Sequence, residues 1–121
     1  MKFVLVTKDA QIEEAAQNAY RGRDELLVYQ DWAEALEAAG NADLMFVDLI
    51  ATLRQAGKIE GYEEFAYAKM QHEKAATIPL VVIAPPAEYE LDGMVGWPNF
   101  VFAMVRRPVQ ERLFRQASGW V

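Results

Sequence analysis

Five short apolar runs recur along the chain, at residues 3–6, 26–29, 44–47, 80–83 and 100–105. Each is nearly continuous in hydrophobicity, with none of the alternation of a half-exposed strand. That pattern fits strands covered on both faces, as in a parallel sheet. The segments between them carry the helical period. Ile12, Ala15, Ala16, Ala19 and Tyr20 share one face, with Asp9 placed as N-cap and Gly22 as the stop. Asp31, with Glu34 three residues on, opens a second helix whose inner stripe is Trp32, Ala35, Leu36 and Ala39, and Gly40 ends it.

A third helix is expected over residues 62–76, with Tyr62, Phe65, Ala66, Lys69 and Met70 on one face. The Lys69 stem would lie along that face with its ammonium in water. The last helix is expected to begin at Pro108, a good first-turn residue, and to turn Val109, Leu113, Ala117 and Trp120 inward. Residues 49–61 form a long connection with a helical turn around 52–56. The breaker-rich stretch 85–99 leaves room for only a short fourth helix.

Strand and helix in alternation predict an α/β fold, a three-layer α/β/α sandwich around a parallel sheet. Right-handed crossovers leave few strand orders, and 2-1-3-4-5 puts the runs at 3–6, 44–47 and 80–83 in the centre. The run at 26–29, flanked by Glu25 and Gln30, suits an edge. The run at 100–105 then forms the other edge and is unusually apolar for one. At 121 residues the expectation is a single domain over 1–121.

Composition removes several function classes. Lys+Arg total 12 against 18 Asp+Glu, and the resulting charge of −6 argues against binding nucleic acid. Without cysteine there is no thiolate nucleophile or disulfide, and the single His72, on a polar helical stretch, is expected to be an exposed residue without a role. No apolar run reaches the length of a membrane span or a signal segment, so a cytoplasmic protein is expected.

Sheets of this order bind ligands beyond the carboxyl ends of their strands, where the strand order reverses. Lys8 and Asp9 follow the first run, Asp48 the third, Ala84 the fourth, and Arg106 and Arg107 the fifth. Two carboxylates and up to three cations thus converge on one end of the sheet. Asp9 serves equally as helix cap or metal ligand, and Arg106 reads as a surface cation, which leaves Arg107 for the crevice.

In that order and placement, Lys8-Asp9, Leu44-Met45-Phe46-Val47-Asp48, Ile83-Ala84-Pro85 and Arg106-Arg107-Pro108 resemble the receiver domains of two-component signalling. The resemblance covers nearly the whole chain and implies a flavodoxin-like fold, with a cis peptide before Pro108. It also implies a phosphoacceptor position at Asp48, with Lys8, Asp9, Ala84, Arg107 and Pro108 around the pocket. Family members have an acidic pair after strand 1, a Ser or Thr after strand 4 and a Lys-Pro pair after strand 5.

This chain departs at three of those places. Lys8 replaces one acid, Ala84 has no hydroxyl, and Arg107 stands where Lys is expected. Mg²⁺-dependent phosphorylation needs an oxygen-rich site, and an ammonium about 4 Å from Asp48 would attract it by roughly 4 kcal/mol at a near-surface dielectric, in competition with the metal. The expectation is therefore a pseudo-receiver, in which Lys8, Arg107 or both hold Asp48. Such a protein would not be an enzyme and would need no cofactor.

It would signal through a protein partner or as a homodimer. The resemblance points to the face built from the stretch 85–99, the run 100–105 and the last helix, with Trp97, Phe100 and Phe102 as the candidate contact residues. The alternative is a phospho-accepting receiver using Asp48, with Asp9 and Asp48 on Mg²⁺. A flavodoxin-like enzyme holding a phosphate-bearing cofactor is disfavoured, because the loop from Thr7 to Ile12 has no glycine and carries an acid where phosphate would sit.

Overall fold

The three central apolar runs become the three central strands. A computed structural model describes residues 1–55, 58–86 and 100–121. Its parallel strands are β1 (Lys2–Val6), β2 (Glu25–Tyr29), β3 (Leu44–Asp48), β4 (Leu80–Ala84) and β5 (Ala103–Arg106). Their order is β2-β1-β3-β4-β5. Every residue of β3 and β4 is buried, which is why those runs carry no polar alternation.

Helices cover both faces. On one, α2 (Trp32–Ala38) and α4 (Glu60–Gln71) pack over Val4, Val6, Met45, Val47, Leu80 and Val82. On the other, α1 (Ala10–Tyr20) and α5 (Glu111–Ala117) pack over Phe3, Leu5, Leu44, Phe46, Val81 and Ile83. A single turn, α3 (Leu49–Thr52), follows β3 directly. The second core is aromatic. Phe3 stacks on Tyr20 at 4.2 Å between ring centroids, and Phe114 meets Phe46 edge-on at 5.0 Å.

The caps at the two N-termini form as their sequences imply. Asp9 accepts hydrogen bonds from the backbone N–H groups of Gln11 and Ile12, Asp31 accepts from Ala33, and Gly22 has φ of +74° just past α1.

Several details differ from the sequence expectation. The last strand begins at Ala103 rather than Phe100, and it alternates: Ala103 and Val105 turn inward, while Phe102 and Met104 are exposed. The turn after β3 comes at 49–52, not 52–56. The last helix starts at Glu111, buries Phe114 and Ala117, and leaves Val109, Leu113 and Trp120 half-buried.

Helix α4 runs from Glu60 to Gln71 instead of 62–76, because His72 breaks it. The imidazole Nδ1 accepts hydrogen bonds from the N–H groups of Lys74 and Ala75, and Nε2 lies 3.1 Å from a Glu37 oxygen. His72 is thus a half-buried turn residue, not an exposed one without a role. Met70 is exposed, and Lys69 does not reach water. It is 2 % exposed, and its ammonium donates to the carbonyl of Ile78 at 2.7 Å.

Candidate functional site

The register of β1 on β3 builds the crevice. Val6 pairs with Val47, so the next residues, Thr7 and Asp48, leave the sheet side by side. Both are buried at a strand end where the backbone turns away into a loop or a helical turn. Thr7 Oγ1 donates to Asp48 Oδ2 at 2.9 Å and accepts from the N–H of Asp9 at 3.1 Å. One hydroxyl therefore ties β1, the start of α1 and the Asp48 carboxylate together. Thr7 was not among the expected site residues. The signal for it was a hydroxyl ending an otherwise apolar strand beside the Asp-terminated one.

Arg107 closes the crevice from the far edge. Its backbone N–H bonds to the Ala84 carbonyl at 3.0 Å, extending the β4–β5 ladder by one residue. The guanidinium then reaches back across β4. Nη1 donates to Asp9 Oδ2 at 2.6 Å, and Nη2 donates to Asp48 Oδ2. One planar cation thus bridges both carboxylates, with a separate nitrogen for each. The Arg107–Pro108 peptide is cis.

Two buried atoms of this group are left without a hydrogen-bond partner, Asp48 Oδ1 and Arg107 Nε. Burial pushes the Asp48 carboxyl above the ordinary carboxylate range, with the Thr7 hydroxyl and the Arg107 guanidinium pulling it back only in part. For Asp9 burial also acts upward, but the N–H groups of Gln11 and Ile12 and the Arg107 guanidinium outweigh it. The net direction is down.

The other expected pocket residues are distributed as follows. Ala84 is buried at the end of β4 and contributes its carbonyl. Lys8 is exposed and lines a separate cleft with Gln30, Trp32 and Arg54, so it is not one of the groups on Asp48. Arg106 turns its guanidinium to the Pro85 carbonyl at 2.9 Å. Pro108 is exposed. Of the surface candidates, Phe102 is exposed with its ring 6.5 Å from that of Trp120, Phe100 is half-buried, and Trp97 lies outside the described residues. Among the described residues no group of three or more His, Cys, Asp or Glu side chains forms a metal-binding cluster. No helix there is long and apolar enough to cross a membrane.

No protein-family model and no curated protein sequence matches the chain. Solved structures do match in shape. The chemotaxis protein CheY4 of Vibrio cholerae superposes with a TM-score of 0.74 at 15% identity, over 99% of this chain and 97% of that one. A signal receiver domain of Clostridium thermocellum gives 0.75 at 9% identity, over 97% and 93%. The bacteriophytochrome response regulator RtBRR gives 0.68 at 23% identity, over 98% and 75%. The chain has the receiver fold. Its crevice occupies the carboxyl edge of the sheet, at the reversal of strand order, where folds of this class place their ligands.

Proposed function

We propose that this protein is a receiver-shaped signalling module that works through protein contacts, without Mg²⁺-dependent phosphorylation of Asp48. The observation that carries the proposal is the Arg107 guanidinium bridging Asp9 and Asp48. Mg²⁺ requires near-octahedral oxygen coordination at about 2.0–2.1 Å and is usually held through carboxylates, waters and phosphate. Here both carboxylates already share a cation, and a metal would have to displace it from a pocket with no third acid among the described residues. The donor set as it stands does not suit a divalent ion. Ala84, lacking a hydroxyl, gives the end of β4 no side-chain donor for a phosphoryl oxygen.

Output would pass through the edge strand. Phe102, just before β5 and with its ring 6.5 Å from that of Trp120, and Met104, on β5, stand exposed, and an apolar strand edge is a surface that proteins cover. A protein partner or a second copy of the chain would do so. Sedimentation of wild type and Phe102→Glu separates these. A dimer abolished by the substitution supports the second copy, and a monomer in both points to a different protein.

The second reading, phosphoacceptance at Asp48, has one observation in its favour: Oδ1 of that carboxylate makes no hydrogen bond. Incubation with acetyl phosphate and Mg²⁺ followed by intact-mass measurement decides between the two. We expect no added phosphoryl mass. Efficient gain of one phosphoryl group, lost in Asp48→Asn, would overturn the proposal.

A further inference from the structure

A second cation is buried at the opposite end of the sheet. Lys69, in the last turn of α4, is 2 % exposed. Its Nζ donates to the Ile78 carbonyl at 2.7 Å and stands 5.6 Å from the centre of the Phe100 ring. That bond is its one hydrogen bond among the described residues, and an ammonium has three donors. Among the described residues no carboxylate pairs with it. Burial alone brings the group down to about 8 from its ordinary 10.5.

Beside it opens a cleft of about 850 Å³, walled by Met70, Ile78, Pro79, Phe100, Val101 and Phe102. These residues precede β4 and β5 or end α4, so the cleft lies at the amino edge of the strands, away from Asp48. Its size falls within the range of small-molecule sites, and its composition, largely apolar walls with Lys69 and Thr77 as the polar side chains, is typical of them. A lone ammonium withdrawn from water among apolar side chains is costly unless a counter-charge reaches it.

We propose that this cleft binds an organic monocarboxylate with an apolar body. The carboxylate would accept from the free donors of Lys69, and the body would lie against Phe100, Phe102 and Met70. A monoanion is favoured over a phosphate ester because the described lining holds one cation and no arginine, so a dianion would leave a charge unpaired. The site is independent of the Asp9–Arg107–Asp48 group, and its test does not bear on that reading.

The test uses the full chain and two probe pairs, phenylacetate with phenylacetamide and hexanoate with hexanamide. Each pair differs in charge while keeping shape. Calorimetry should show at least one carboxylate binding roughly tenfold or more tighter than its amide, with that preference lost in Lys69→Met. Phe102→Ala, at an exposed position, should weaken carboxylate and amide alike by severalfold. The proposal is overturned if acid and amide bind equally, if Lys69→Met keeps the preference, or if neither carboxylate binds at millimolar concentration.

Discussion

Replacing Arg107 by Met removes the guanidinium and keeps most of the stem, which isolates the charge it supplies. Two carboxylates lose their shared partner, and one of them, Asp48, is almost wholly buried. Deleting one member of a buried ion pair costs about 3–5 kcal/mol, because the survivor is left charged and desolvated. Arg107 keeps 17 % of its side chain exposed, and Asp48 can escape by taking a proton, so the expected loss is ~2–3 kcal/mol near pH 8.

The loss must depend on pH, and its sign follows from the direction of the Asp48 shift. Its pKa in the folded protein already lies above the ordinary value, and without Arg107 it rises further. A folded-state pKa above the unfolded one means the native state holds a proton that the unfolded chain releases. Stability is then full below the unfolded pKa and declines as pH rises through the folded one. Asp9 acts in the same sense: its lowered pKa marks stability present at neutral pH, and part of that depends on Arg107. Urea unfolding of wild type and Arg107→Met, followed by far-ultraviolet circular dichroism from pH 4 to pH 8, should therefore show the gap widening with pH, from about 1 kcal/mol at the acid end. Adding Asp48→Asn removes the stranded charge and should recover most of the loss at pH 8, a coupling that a double-mutant cycle reads directly. A gap that stays constant with pH, or a double variant as unstable as the sum of its parts, would refute the assignment of Arg107 as the counter-charge.

Two further outcomes follow from buried groups. Lys69→Met should be more stable than wild type at pH 7, where the lysine is mostly charged in an apolar site. Because its folded pKa of about 8 lies below the unfolded 10.5, wild-type stability rises with pH between those values, and the gap should narrow by ~2 kcal/mol by pH 10. Parallel urea curves at the two pH values check this. Gly61→Ala would place a methyl 2.1 Å from the Thr52 carbonyl oxygen, with the Arg54 N–H also close, so α4 would have to lift from the turn after β3. A destabilisation of about 2–4 kcal/mol is expected by the same denaturation assay, and a neutral result would show that the two segments do not pack this closely.

How much of this was legible in the sequence depended on whether a feature is local. The central strands β1, β3 and β4 could be read from their apolar continuity, and the order of the sheet from handedness and edge chemistry. Asp9 and Asp31 could be read as caps because a cap acts within three residues of itself. The failures lay where distant packing decides. Lys69 shares a face with Tyr62 and Phe65, and only the return of the chain at Ile78 shows that its ammonium ends on a carbonyl instead of in water. Phe114 could not be assigned to the core while the helix start was set by Pro108. With the helix starting at Glu111, Val109 lies outside it, and Phe114 and Ala117, three residues apart, form its buried face.

The crevice divides in the same way. That Asp48, Asp9 and position 107 meet follows from topology, since parallel strands deliver their carboxyl ends to one edge. Which cation reaches Asp48 does not follow from topology. Lys8 is closer in sequence to the β1 strand end, yet the loop after β1 must turn at once into α1, with Asp9 capping and Thr7 held on Asp48. Lys8, between two residues whose side chains are committed inward, is left on the outer side and joins the cleft beside Trp32 and Arg54. Arg107 has the longer reach and a planar fork, and it approaches from the edge where β5 ends, so a single side chain spans β4 to contact both acids. The capping demand of α1 thus selects the cation: with Asp9 fixed by backbone N–H groups through Oδ1, only its Oδ2 stays available, and a guanidinium from β5 can take it together with Asp48.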